Sequence, residues 1–202
     1  MSRPHDPEIR HRLREKAVDY VMTHGMWDLS LRPLASALGT HARMLVYHFG
    51  SREGLMREIL AGLREREDAK VKAWFDTHAP AGPQTLRRFV RWHWRRISSP
   101  GARPAVRLIF ELYALALRDP VNFPGVLEVP VGYWRRLAEL SGLRGTAAET
   151  TATLLLAATR GLMLDAAGTG DRKRADRALK ALLMRLQPAR KARSASALRV
   201  SS

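Results

Sequence analysis

The chain has 202 residues, 46% of them hydrophobic, enough to bury a sizeable core. Its 35 Lys and Arg against 19 Asp and Glu leave a formal charge of +16, a field that attracts polyanions such as nucleic acid or an anionic membrane surface. The absence of cysteine excludes a disulfide framework, a thiolate metal site and a cysteine nucleophile, which suits a reducing cytosol.

Strand-like alternation is nearly absent and apolar residues recur at spacings of three and four, so the expected fold is all-α, with about nine helices. The first is expected from Pro7 to His24, with Ile9, Leu13, Ala17, Tyr20 and Val21 on one face and Gly25 as its stop. Two short helices follow, over 31–38 and 41–49. A long fourth follows Ser51, its N-cap, and carries Leu55, Ile59, Leu63 and Trp74 towards Phe75. Residues 79–83 are a breaker-rich joint. Beyond it helices are expected over 84–98, 102–118 and 126–140, the last interrupted or kinked near Pro130. Thr146 and Glu149 have capping-box spacing and open a helix, 146–167, that is apolar on more than one side. The last helix, 171–186, carries Ala175, Ala178, Leu179, Leu182, Leu183 and Leu186 on one stripe. The tail after Pro188 has four basic residues and no acidic one and is expected to be disordered. The polar start does not read as a signal peptide, and Arg160 interrupts the most apolar stretch, Leu154 to Leu164, so no membrane span and a cytoplasmic location are expected.

The segment with the clearest functional pattern is 30–55, SLRPLASALGTHARMLVYHFGSREGL, in which Gly39 separates two short helices. Leu34, Ala35, Leu38 and Leu45 are spaced to pack these helices together, leaving Ala42, Arg43, Met44, Tyr47 and His48 outward. A helix of this kind fits the major groove of B-DNA, and Arg43 is the best-placed base reader. Residues 7–60 resemble the DNA-binding head of the tetracycline-repressor (TetR) family through Ser30, Ala35, Gly39, Leu45, Tyr47, His48, Phe49, Ser51, Arg52, Glu53 and Leu55. The chain departs from the family pattern at Val46, where Tyr is usual, at Arg43, where a small residue is common, and at His41, where Ser often caps the recognition helix.

The resemblance implies a head over 1–52, an effector-binding and dimerisation body over 53–187 and a basic tail over 188–202. It further implies a homodimeric repressor that binds a palindromic double-stranded DNA operator and is released by a small, partly apolar effector. The expected DNA-facing set is Ser30, Arg32, Thr40, His41, Ala42, Arg43, Met44, Tyr47, His48 and Arg52, with Arg52 as a phosphate contact. The effector is expected among Trp92, His93, Phe110, Tyr113, Tyr133 and Met163, and the dimer seam at Leu155, Leu162, Leu179, Leu182 and Leu186.

Other features have simpler readings. In 86–97, LRRFVRWHWRRI, the residues Leu86, Phe89, Val90, His93 and Ile97 form an inward stripe, so the arginines read as solvated flanks. Glu111 shares a face with Arg107 and Arg118 and reads as a solvated edge. Arg160 lies inside an apolar run and needs a partner, either an acidic residue across the seam or an anionic effector. The alternative function is a small helical enzyme, or a protein that binds an anionic surface, acting on an acidic partner. No HExxH, phosphate-cradling Gly loop or GxSxG supports an enzyme, so no catalytic residue, metal or cofactor is expected.

Overall fold

A computed structural model describes residues 6–78, 82 and 84–185. Among these the chain forms nine α-helices and no strand: α1 (Pro7–His24), α2 (Leu31–Ala37), α3 (Ala42–Phe49), α4 (Arg52–His78), α5 (Thr85–Ile97), α6 (Arg103–Arg118), α7 (Glu128–Leu140), α8 (Gly145–Thr169) and α9 (Arg172–Arg185), with a 3-10 turn at Pro100–Ala102 before α6. The expected tail after Pro188 and Leu186 lie outside the described residues, as does most of the joint over 79–83.

Local chemistry sets the helix ends. Asp6 caps α1 by accepting from the N–H of Glu8 at 2.9 Å, Pro7 opens the helix where an N–H has no partner anyway, and Gly25 closes it. Ser51 Oγ accepts from the N–H of Gly54 at 3.0 Å and so caps α4. Two expectations are corrected. Pro130 falls in the first turn of α7, where a missing N–H breaks no ladder bond, and α7 starts at Glu128 rather than bending near 130. The Thr146 and Glu149 box does not form, because α8 begins at Gly145 behind an extended Arg144 and has no side-chain cap.

Two apolar cores lie along the molecule. The first gathers Leu13, Val18 and Val21 of α1, Leu34 of α2, Leu45 and Phe49 of α3, and Leu55 and Ile59 of α4, and takes Leu108, Leu115 and Ala116 from α6. The second gathers Val71 and Trp74 of α4 with Phe89, Val90 and Trp94 of α5, Trp134 and Leu137 of α7, Leu155 and Met163 of α8, and Leu179 and Leu183 of α9. Truncating any of these leucines to alanine costs about 2 to 5 kcal/mol, so each core is a strong constraint. The 27 residues of α4 pass through both cores, and α6 also supplies both, with Val106 in the second. These two helices are therefore the mechanical links between the ends of the protein.

Candidate nucleic-acid interface and ligand cavity

At one end, α2 and α3 are joined by a turn in which Gly39 adopts φ +71, a conformation that costs a side-chain-bearing residue. Its N–H donates to Ser36 O at 3.1 Å, and that of Thr40 to Ala35 O at 2.9 Å, so the turn is hydrogen-bonded through its backbone. Leu45, His48 and Phe49 of α3 face the first core. On the opposite side His41, Arg43 and Val46 are exposed, and Ala42, Met44 and Tyr47 are half-buried. Ser30 and Arg32 at the start of α2 are exposed, and Thr40 is half-buried.

His48 is corrected: it is 5% exposed, with its ring against the edge of Tyr47 at 5.1 Å, and its carbonyl accepts from Arg10 Nε at 3.2 Å. With Leu45 and Phe49 fixed inward, position 48 is swept to the same side of so short a helix. Val46 takes the outward place at 40% exposure. An apolar residue between Leu45 and Phe49 reads as core, which is why Val46, though noted as a departure from the family pattern, was not placed in the DNA-facing set.

The arginines of this end divide by engagement. Arg10 pairs with Glu58 at 2.5 Å, Arg14 with Glu65 at 2.6 Å, and Arg66 with Glu15 and Asp19 at 2.7 and 2.6 Å, all tying α1 to α4. The bond from Arg14 holds the Glu65 carboxyl below the usual carboxylate range, and the bond to Glu15 raises the Arg66 guanidinium. Arg52 donates from Nε and Nη2 to the Leu29 carbonyl at 3.3 and 3.0 Å, so it braces the loop before α2. Arg32 and Arg43 make no ion pair among the described residues. They are the uncommitted cations of the exposed face.

In the body, α4, α5, α6, α7 and α8 enclose a cavity of about 240 Å³. Of the six residues expected to meet an effector, His93, Tyr113, Tyr133 and Met163 line it. Trp92 instead lines a groove outside, with Arg91, Arg95 and Lys180, and Phe110 packs on the second core with its ring edge-on to Tyr113 at 6.0 Å. Each of the two sits one to three residues from a lining residue, and a sequence wheel does not resolve that difference. The lining also includes Phe89, Leu112, Trp134, Leu156, Thr159 and Arg160, which are mostly apolar. The imidazole of His93 is pushed down to about 3, first by burial and then by Arg96, so it is neutral at ordinary pH. The hydroxyl of Tyr133 donates to Asp68, and Glu67 pairs with Arg96.

Among the described residues of the chain Arg160 pairs with no carboxylate. Its Nε donates to Tyr113 Oη at 2.8 Å and its guanidinium lies 4.4 Å from the Tyr113 ring centroid. Glu111 is also corrected. Its side chain is only 18% exposed, and besides pairing with Arg107 at 3.3 Å it accepts from the Met26 N–H at 2.7 Å.

No family model and no curated protein sequence matches the chain. Solved structures do. The multidrug binding protein EbrR, complexed with imidazole, is 28% identical over 95% of this chain and 96% of its own, with a TM-score of 0.68. A putative transcriptional regulator from Saccharomonospora viridis in complex with choline is 21% identical over 89% of this chain and 97% of its own, with a TM-score of 0.69. A TetR-family transcriptional regulator from Agrobacterium tumefaciens is 17% identical over 91% of this chain and all of its own, with a TM-score of 0.67. The chain has the TetR-family fold.

Within this TetR fold the outward side of α8 is a long stripe. Ala147, Thr150, Leu154, Ala157, Gly161, Leu164 and Gly168, spaced alternately by three and four, are all exposed. Leu154, Leu164 and, on α9, Met184 are more than half exposed. The residues expected at a seam lie elsewhere: Leu155 and Leu179 are buried in the second core, Leu162 and Leu182 pack against it, and Leu186 is outside the described residues. Because α8 is apolar on two sides, periodicity alone could not tell the inner stripe from the outer one. Among the described residues no helix is long and apolar enough to cross a membrane, and no cluster of acids and histidines could hold a metal.

Proposed function

We propose that the chain is a homodimeric, ligand-responsive transcriptional regulator that represses by binding a two-fold DNA operator. In this reading 1–52 is the reading head and 53–187 the effector and dimer body. The carrying observation is a hydrogen-bonded helix-turn-helix on a TetR-type scaffold, with Arg32 and Arg43 uncommitted on the exposed face of α2 and α3. A helix presented this way enters the major groove, and two copies related by a dyad address half-sites about 34 Å apart. Ser30, Arg32, Thr40, His41, Ala42, Arg43, Met44, Val46 and Tyr47 form the contact face, with Arg43 reading a base and Arg52 placing α2 on the phosphates through Leu29.

The exposed stripe of α8, with Met184, is the dimer seam, since its small residues let two helices approach closely and its leucines exclude water. The cavity is the effector site. A ligand seated there touches α4 and α6, the two helices shared with the head, and so favours one head placement over another. Imidazole and choline in the two related structures support the view that this scaffold accepts small organic molecules. The test is a gel shift with the intergenic DNA beside the protein's own gene. Specific retardation, retained over scrambled DNA, is expected, and equal retardation of both contradicts the proposal.

A further inference from the structure

The wall of the cavity carries three guanidinium groups, Arg64, Arg96 and Arg160, and two carboxylates, Glu67 and Asp68. Arg96 and Glu67 pair with each other, and Asp68 accepts from Tyr133. Arg64, half-buried, donates to the Pro124 carbonyl at 3.1 Å and makes no ion pair among the described residues. Arg160 also lacks a carboxylate partner among the described residues, and it differs from Arg64 in holding an unpartnered terminal nitrogen out of water. Tyr113 uses its Nε, and Nη2 is buried with no acceptor. Tyr113 supplies no counter-charge, because burial pushes its phenol up and keeps it neutral. His93 supplies no charge of either sign at ordinary pH. A second orphan donor, Nε of Arg96, is also buried without an acceptor.

A guanidinium N–H held out of water without an acceptor is costly, and a carboxylate that meets it forms a charge-assisted bond worth more there than at the surface. We infer that the cavity takes an organic acid, with an aromatic or aliphatic body among Phe89, Trp134 and Leu156 and a carboxylate on the Nη2 side of Arg160. Thr159 stands one residue away with its hydroxyl donating to Leu155 O at 2.7 Å, leaving oxygen lone pairs but no proton for the ligand. Neutral donors remain in the Tyr113 hydroxyl, which accepts from Arg160 and keeps its own proton, and in the ring N–H of His93, but the charged donors of the wall are guanidinium N–H groups, which match an anionic head. This assignment rests on the reading of the cavity as the effector site and adds the ligand's charge to it.

The test uses the full chain and three probes with one body and different heads: hydrocinnamate, hydrocinnamamide and phenylpropylamine. Binding is measured by calorimetry and by the change in tryptophan fluorescence, to which Trp134 in the cavity wall contributes among the chain's five tryptophans. Hydrocinnamate is expected to bind about tenfold or more tightly than the amide, with the amine weakest. Arg160→Met should abolish the preference for the acid while the amide still binds, and Arg160→Lys should keep part of it. Should Arg160→Met not fold, the ranking of the three probes on the native chain decides alone. Binding of the amide or amine as tight as that of the acid overturns the assignment and leaves the cavity as an effector site. Binding of none of the three overturns both, whereas DNA binding is judged separately by the gel shift.

Discussion

Glu111 Oε2 accepts a 2.7 Å hydrogen bond from the Met26 N–H, joining α6 of the body to the loop between α1 and α2 of the head. Its neighbours reinforce the joint: Arg107 pairs with Glu111 and donates to the Thr23 carbonyl at 2.9 Å. Gly25 runs so close that a Cβ there would lie 2.5 Å from Glu111 Oε2. One residue past Glu111, α6 enters the cavity wall at Leu112 and Tyr113. A ligand in the proposed effector site would thus press on a residue of α6 adjacent to the one that holds the head.

Glu111→Ala removes the acceptor and leaves the Met26 N–H without it, at a cost of about 1 to 3 kcal/mol in stability. The functional consequence is larger in kind. Coupling between sites in such proteins is typically about 5- to 150-fold in affinity, and in this variant the change in DNA affinity on saturation with hydrocinnamate should fall to within about threefold. Titrating operator DNA with and without the acid measures it. Full coupling in Glu111→Ala would show that the signal travels by another route.

The two arginines of the head should differ in what their loss does. Arg43→Ala removes an exposed, uncommitted base reader and should cost about 1 to 3 kcal/mol per half-site with relaxed preference at one base pair. Arg52→Ala removes two bonds to Leu29 O, so it should weaken binding to all sequences alike and lower the melting temperature as well. Binding to cognate and scrambled DNA at several salt concentrations, beside thermal melts, separates the two.

The seam prediction turns on single-residue phase along α8. Leu154→Asp or Leu164→Asp, on the outer stripe, should yield folded, helical monomers with much weakened operator binding. Leu155→Asp, one position on and fully buried, should instead unfold the body, since it places an unpaired charge in the second core. Sedimentation with circular dichroism distinguishes the outcomes, and dimers persisting in both outer variants would move the seam elsewhere.

Acid should reveal His93. Its neighbours are Phe89, Trp92 and Arg96 on its own helix and Trp134 on α7, with Arg160, Glu67 and Asp68 across the cavity. Held at about 3 in the folded chain against 6.5 when free, it takes up a proton only in the unfolded chain as pH falls between those values. Stability is therefore present above the upper value and lost as pH falls through the window. His93→Gln should reduce the slope of unfolding free energy against pH by up to about 1.4 kcal/mol per unit, as measured by urea denaturation from about pH 7 to about pH 4.5.

Much of this architecture was legible in the sequence because helix ends are local. Pro7 at the start of α1, Gly25 after it, Ser51 before α4 and the Gly39 turn each act on backbone within about five residues, whereas the Asp6 cap was found only in the structure. What escaped was set by packing between distant segments. His48 and Val46 exchanged places because α1 and α4 decide which side of a two-turn helix is covered. Leu155 turned out buried and Leu154 exposed, a difference the sequence could not show because an apolar residue on a two-sided helix suits either side equally. Glu111 read as a surface ion pair because its second partner is a backbone N–H 85 residues away. Arg160 was recognised as a charge in need of a partner, and that the cavity's two acids, Glu67 and Asp68, are engaged by Arg96 and Tyr133 instead is a property of the assembled cavity.

The most direct test of the central claim is a selection of double-stranded DNA from a random pool by the full-length protein, followed by titration of the recovered site with the native chain and Arg43→Ala. The account predicts a two-fold symmetric site with half-sites about one helical turn apart, bound about a thousandfold or more tightly than scrambled DNA, with most of that preference lost in the variant. Recovery of no enriched sequence, or equal affinity of the native chain for the enriched and scrambled DNA, would contradict it.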